Sequence, residues 1–132
     1  MPEDTPKPAT ERIKSSDFTA RYANNVYLES SAWDLKLVLG QLDQSSGETI
    51  VQHTAVTMPW PQVKMLAYLL QVHIAMHENR LARVAVPGGL IFKVIGDMPE
   101  DFSQQFTNNP EGLWQKLRSL YDAFIAENPE AA

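Results

Sequence analysis

Apolar and polar positions change rhythm three times along this chain. In "NVYLES", Val26 and Leu28 fall on one side of an extended segment and Tyr27 on the other. In "SAWDLKLVLGQ", Trp33, Leu35, Leu37 and Leu39 alternate with Asp34, Lys36 and Val38, the period of two that a half-buried strand requires. That places Trp33 in the core. "TIVQHTAVTM" keeps the rhythm less strictly through Ile50, Thr54, Val56 and Met58, with His53 on the face opposite Ile50. Short connections at Ser30 and Ser31 and in "LDQSSGE" join the three runs into an antiparallel meander.

"PWPQ" ends the alternation. Pro59 and Pro61 lack a backbone donor, a loss tolerated in the first turn of a helix. From Gln62 to about Arg83 there is no Gly or Pro, which predicts a helix of six turns, roughly 33 Å long. Val63, Leu66, Ala67, Leu70, Ile74 and His77 form one stripe on it, and Met65, Leu69, Val72 and Met76 a second. Two apolar stripes require cover on more than one side. A three-stranded sheet supplies one cover; the other falls to the C-terminal helix or to a second copy of the chain. Met65, Leu69, Val72 and Met76, with Trp60, are therefore the candidate interface residues. Trp60, set between two prolines, is either a hydrophobic staple folded back on the helix or an exposed anchor for a partner.

"AVPGGLIFKVIGDMPED" ends the helix with Pro87 and Gly88-Gly89 and offers a fourth strand over Leu90 to Ile95. Asp97, Glu100 and Asp101 lack the spacing of a calcium loop and read as a solvated loop leading into a helix start. In "NNPEGLWQKLRSLYDAFIAEN", Asn109 is placed as N-cap, Pro110 as the first helical residue and Glu111 against the helix dipole. Leu113, Leu117, Leu120, Tyr121 and Phe124 form the apolar stripe of that helix, and Trp114 closes it onto the body. The expected fold class is α+β: an antiparallel three- to four-stranded meander packed against one long helix, plus a C-terminal helix. Residues 1–17, polar and rich in proline, are expected to be a disordered N-terminal tail. Residues 18–127 form a single α+β domain, and residues 128–132 fray.

Composition narrows the chemistry. The 132 residues carry a formal net charge of −5, against the clustered Lys and Arg that nucleic acid demands; Arg80 and Arg83 read as a solvated helix end. The absence of cysteine removes disulfides, thiolate catalysis and Cys-based metal sites. The polar start reads as neither a signal nor a transit peptide, and no apolar run approaches the ~20 residues that span a bilayer. The expected location is the cytoplasm, with no nucleic acid or membrane as partner. No nucleophile elbow, P-loop or dinucleotide fingerprint occurs, and no carboxylate pair stands beside a recognisable acid or base partner.

His53, His73 and His77 are the candidates for a metal site. His73 and His77 share a helix face and supply two ligands, where zinc takes three or four. The metalloprotease pattern places Glu directly after the first His; Ile74 stands there instead. Glu78 points about 100° around the helix from His77, a poor third ligand. The expected role of the pair is packing, with a pH-sensitive contact near the ordinary imidazole pKa of about 6.5. No cofactor is expected.

From Tyr22 to Val84 the chain resembles a prokaryotic family catalogued as domain of unknown function 3467. "YANNVYLESSAWDLKLVLGQ" is similar to its opening strands, "VTMPWPQVK" to the turn that opens its helix, and "LLQVHIAMHE" to the end of that helix. Three departures stand out. Pro59-Trp60-Pro61 replaces the usual Ser-Pro start, His73 stands where relatives carry Asn, and His77 where they carry Tyr. The family has no activity to transfer, and residues after about 85 lie outside the resemblance.

The function expected from the sequence is non-enzymatic: a small homo-oligomerising or adaptor-type interaction module, the partner being a second copy or another protein or peptide. One alternative is a peptide-holding chaperone resembling the secretion chaperone B, which would present an exposed apolar groove. A second is a metal-dependent hydrolase using His53, His73 and His77.

Overall fold

The computed structural model describes residues 9–43, 45 and 49–132. The first half of the expected N-terminal tail, residues 1–8, and most of the loop after residue 43 lie outside the described residues. The order of elements is β1 (Asn25–Ser30), β2 (Asp34–Asp43), β3 (Thr49–Pro59), α1 (Trp60–Arg80), α2 (Glu100–Gln105), α3 (Pro110–Glu127) and a short 3-10 turn, Pro129–Ala131. This is the expected α+β arrangement. The chain divides into two compact units, Met1–Leu70 and Gln71–Ala132.

In the first unit the strands form one antiparallel sheet in the order β1-β2-β3. The register sets Val26 opposite Leu39, Leu28 opposite Leu37, Leu37 opposite Val56 and Leu35 opposite Met58, so these side chains share one face. The other face is mixed, and Glu29 meets its cross-strand partner Lys36 at 3.7 Å. Leu35 is the one buried apolar side chain of this unit among the described residues.

Trp33 corrects the sequence reading. It is 83% exposed, because the strand begins one residue later at Asp34 and Trp33 sits in the β1–β2 turn. That turn is closed by Ser31, whose Oγ accepts from the backbone N–H groups of Trp33 and Asp34 at 3.2 and 3.1 Å. Alternation identified the strand but not where the turn chemistry cuts it off.

In the second unit the buried apolar residues are Val94, Phe102 and Ala131. Asn109 caps α3 as expected: it adopts φ 51°, and its side chain accepts from the Gly112 N–H. The Phe102 ring lies 4.8 Å from that of Phe106 and meets Trp114 edge-on at 5.2 Å, so α3 is tied to α2 through Trp114. Residues 90–95 do not form the fourth strand; the sheet holds three strands. Val94 is buried, and Ile91, Phe92 and Val94 line a groove with Leu117, Leu120, Tyr121 and Phe124 of α3. The segment's apolar demand is met in part by a helix within its own unit, and Gly89 and Gly96, at φ 80° and 73°, turn the chain on either side of it.

The C-terminal residues, read from sequence as fraying, are placed in the 3-10 turn with Ala131 fully buried. Arg83 and Glu130 form a two-pronged ion pair, one prong at 2.7 Å, and Glu130 also accepts from the Val86 N–H at 3.2 Å. Arg83, read as solvated, thus has a carboxylate partner 47 residues away in sequence.

Candidate interaction surface

Helix α1 presents a run of uncovered apolar side chains. It starts at Trp60, two residues earlier than expected, and ends at Arg80, three residues earlier. Pro61 lies in its first turn, and His77 and Arg80 in its last, where positive charge is favoured by the helix dipole. The Glu78 carboxylate accepts from the Val84 N–H at 2.8 Å and so holds the chain as it leaves the helix.

None of the 21 residues of α1 is buried. On the second stripe Met65 is 57%, Leu69 47% and Met76 41% exposed, and Val72 is half-buried. Leu70 and Ile74 of the first stripe are exposed as well, with Val63 and Leu66 half-buried. Covering the remaining area of Met65, Leu69 and Met76 would contribute about 1 kcal/mol each, half the value of burying such a side chain outright. Trp60 is anchored to the β1–β2 turn by its ring nitrogen. Its Nε1–H donates to the Ser31 carbonyl at 2.9 Å, which pins the start of α1 to the β1–β2 turn, while 39% of the residue stays exposed.

The histidines separate into two situations. His53 is the extra residue of a β-bulge: Leu39 pairs with Thr54 and Gly40 with Gln52, leaving His53 unmatched on β3. Its Nε2 lies 2.9 Å from the Tyr22 carbonyl and its Nδ1 2.7 Å from Thr54 Oγ1. A ring that donates to Tyr22 through Nε2 keeps Nδ1 as an acceptor for the Thr54 hydroxyl. His73 and His77 are exposed on α1. Among the described residues no three of His, Asp and Glu stand together as a metal cluster, and no helix is long and apolar enough to cross a membrane.

Two features escaped the sequence reading. One is the bulge itself, whose only trace is Gly40: a Cβ there would stand 2.7 Å from the Val51 carbonyl oxygen. The other is the apolar groove of the second unit, about 250 Å³ in volume. Its signal is the alternation of "LIFKVI", which by period alone predicts a strand.

No curated protein and no solved structure gives a significant match to the chain. A family model does: it covers residues 1–85, which include all three strands and the whole of α1. The chain therefore belongs to the family described as protein of unknown function, domain of unknown function 3467.

Proposed function

We propose that this chain is a non-enzymatic, self-associating interaction module whose principal contact is α1, through Met65, Leu69, Val72 and Met76 with Trp60 at the helix start. The observation that carries this reading is a helix of 21 residues with no buried position. An isolated helix gains little from propensity alone, and amphipathic helices in proteins are held mainly by packing. A second copy of the same helix offers matched apolar stripes and closed two-fold symmetry, the commonest arrangement among oligomers. The reading is tested by light scattering of the eluting protein over a hundredfold range of concentration. The expected result is a mass of at least twice 14.8 kDa for the native sequence and a lower mass for Leu69→Glu. A native chain that stays monomeric throughout would overturn it.

The groove of the second unit supports a second reading, a peptide-holding role. Phe92 is 77% exposed beside it, and Leu120 and Phe124 keep part of their surface open. That reading expects the folded protein to bind a fluorescent hydrophobic dye, with Phe92→Ser reducing the signal at unchanged helix content. Dye binding unaffected by the substitution would set it aside.

A further inference from the structure

The sheet has two edges, and they are guarded unequally. β1 is short, at six residues, and carries Glu29. β3 is the longest strand, at 11 residues, and it is also an edge. From Thr49 to Met58 it contains no Lys, Arg, Asp or Glu. Native sheets ordinarily protect edges with short strands, charges, prolines or bulges. β3 has only a bulge at His53 and Pro59 at its end, and between them the stretch Thr54–Met58 carries no charge of its own.

The hydrogen-bond alternation shows which groups that stretch leaves free. Ser31 N–H donates to the Asp34 carbonyl at 2.9 Å, so residues 31 and 34 form a hydrogen-bonded pair. Alternation along the ladder then makes Glu29–Lys36 and Tyr27–Val38 hydrogen-bonded pairs. Lys36 and Val38 spend their backbone groups on β1; Leu35, Leu37 and Leu39 spend theirs on Met58, Val56 and Thr54. Pro59, opposite Asp34, falls at a position where no N–H is required. The N–H and C=O groups of Ala55 and Thr57 therefore point away from β2. Among the described residues they make no backbone bond beyond the sheet's own ladder.

We propose that a second copy of the chain pairs here, β3 against β3 and antiparallel, about a two-fold axis at Val56, to give one continuous six-stranded sheet. This register sets Ala55 opposite the partner's Thr57 and Thr57 opposite the partner's Ala55. Both are hydrogen-bonded pairs, so all four outward groups of each strand's Ala55 and Thr57 are satisfied. Val56 meets its own counterpart at a non-hydrogen-bonded position. A strand without charge meets itself without like-charge repulsion, and a two-fold pairing is complementary to itself by construction. The apolar face that holds Leu37, Val56 and Met58 then runs unbroken across the axis. The proposal rests on the self-association reading above and adds a second contact to it.

The chain's lack of cysteine makes the register directly testable with single cysteines. At a non-hydrogen-bonded antiparallel pair the Cα atoms lie about 4.5 Å apart, within reach of a disulfide. Thr54, aligned with the partner's Met58, stands roughly 13 Å from its own counterpart. Under copper–phenanthroline oxidation Val56→Cys is expected to give a linked dimer at least tenfold faster than Thr54→Cys or Met58→Cys. Mixing the latter two is expected to produce the linked heterodimer. Adding Thr57→Pro, which removes an outward N–H without touching the β2 ladder, is expected to abolish the Val56→Cys product at unchanged strand content. Should Thr57→Pro lower the strand content, the three cysteine variants alone decide the matter. Equal rates in all three, or no linked product, would overturn the edge pairing. Leu69→Glu in the Val56→Cys background separates the two contacts. Linkage that survives it while the native mass falls shows both at work. A native mass that falls with Leu69→Glu, and no linkage even without that substitution, leaves the helix contact standing and removes the edge.

Discussion

Gly40 shows how one residue sets the geometry of the sheet. It is buried in β2, opposite the bulge on β3, and a methyl group there would stand 2.7 Å from the Val51 carbonyl oxygen and 3.1 Å from the Gln52 Cα. Both obstacles are backbone, so they cannot swing aside as a side-chain tip would. Gly40→Ala is expected to destabilise the protein by about 2 kcal/mol, the usual cost of overpacking, measured by chemical denaturation. The amide resonance of His53 should move with it, because the bulge must be rebuilt. A stability within 0.5 kcal/mol of the native value, roughly the spread of neutral surface changes, would show that the strand relaxes freely. The same scale explains what the sequence did and did not disclose. Asn109, Pro110 and Glu111 were readable as a helix start because capping is a contest among a few adjacent groups, all visible in the sequence. Trp33 departs from the alternation because its place depends on a serine hydroxyl two residues away that closes the turn, which alternation does not encode. The bulge at His53 depends on a neighbour in another strand, so β3 gave no sign of it.

At the scale of elements, apolar periodicity states that a segment needs cover and leaves the cover unnamed. Leu90–Ile95 has the rhythm of a strand, yet Val94 is buried while the segment shares a groove with α3. The C-terminal turn illustrates the converse, an element held by charge. Glu130 loses its proton more readily than usual, its pKa lying below the ordinary 4.5. Its own backbone N–H is the main cause, with help from the Val86 N–H and Arg83 and some opposition from burial. A carboxylate whose folded pKa is depressed contributes stability that is present in full above the unfolded-state value and is lost as pH falls through the folded value. The turn is therefore expected to stay docked at neutral pH and to loosen once the pH drops below about 4.5, the unshifted carboxylate value. Hydrogen exchange at the Val86 amide, which donates to Glu130, reads this directly. Its protection should fall with acid in the native chain and be low and pH-independent in Glu130→Ala once intrinsic exchange is corrected for. A native amide whose protection does not change between pH 7 and pH 3 would remove Glu130 as the clamp.

For the whole molecule the deciding fact is how little each unit buries. Leu35 is the buried apolar side chain of the first unit, and Val94, Phe102 and Ala131 those of the second, among the described residues. Folding must offset about 1–2 kcal/mol of backbone entropy per residue, and domains of this length normally do so by removing most of their apolar surface from water. The exposed side chains of α1, the apolar sheet face and the uncharged β3 edge are where the missing burial is available. On the self-association proposed above, a second copy would supply it with the same chemistry. Stability should then follow mass action, because association stabilises the folded state by RT ln(1 + [L]/Kd). Across a hundredfold rise in protein concentration above Kd the expected gain is about 2.7 kcal/mol. The thermal midpoint should rise with concentration in the native chain and rise less steeply in Leu69→Glu, which removes the helix contact. A midpoint independent of concentration, in a chain that unfolds reversibly, would mean that each unit is stable on its own few buried residues. The exposed apolar side chains of α1 would then be kept for a partner other than the chain itself.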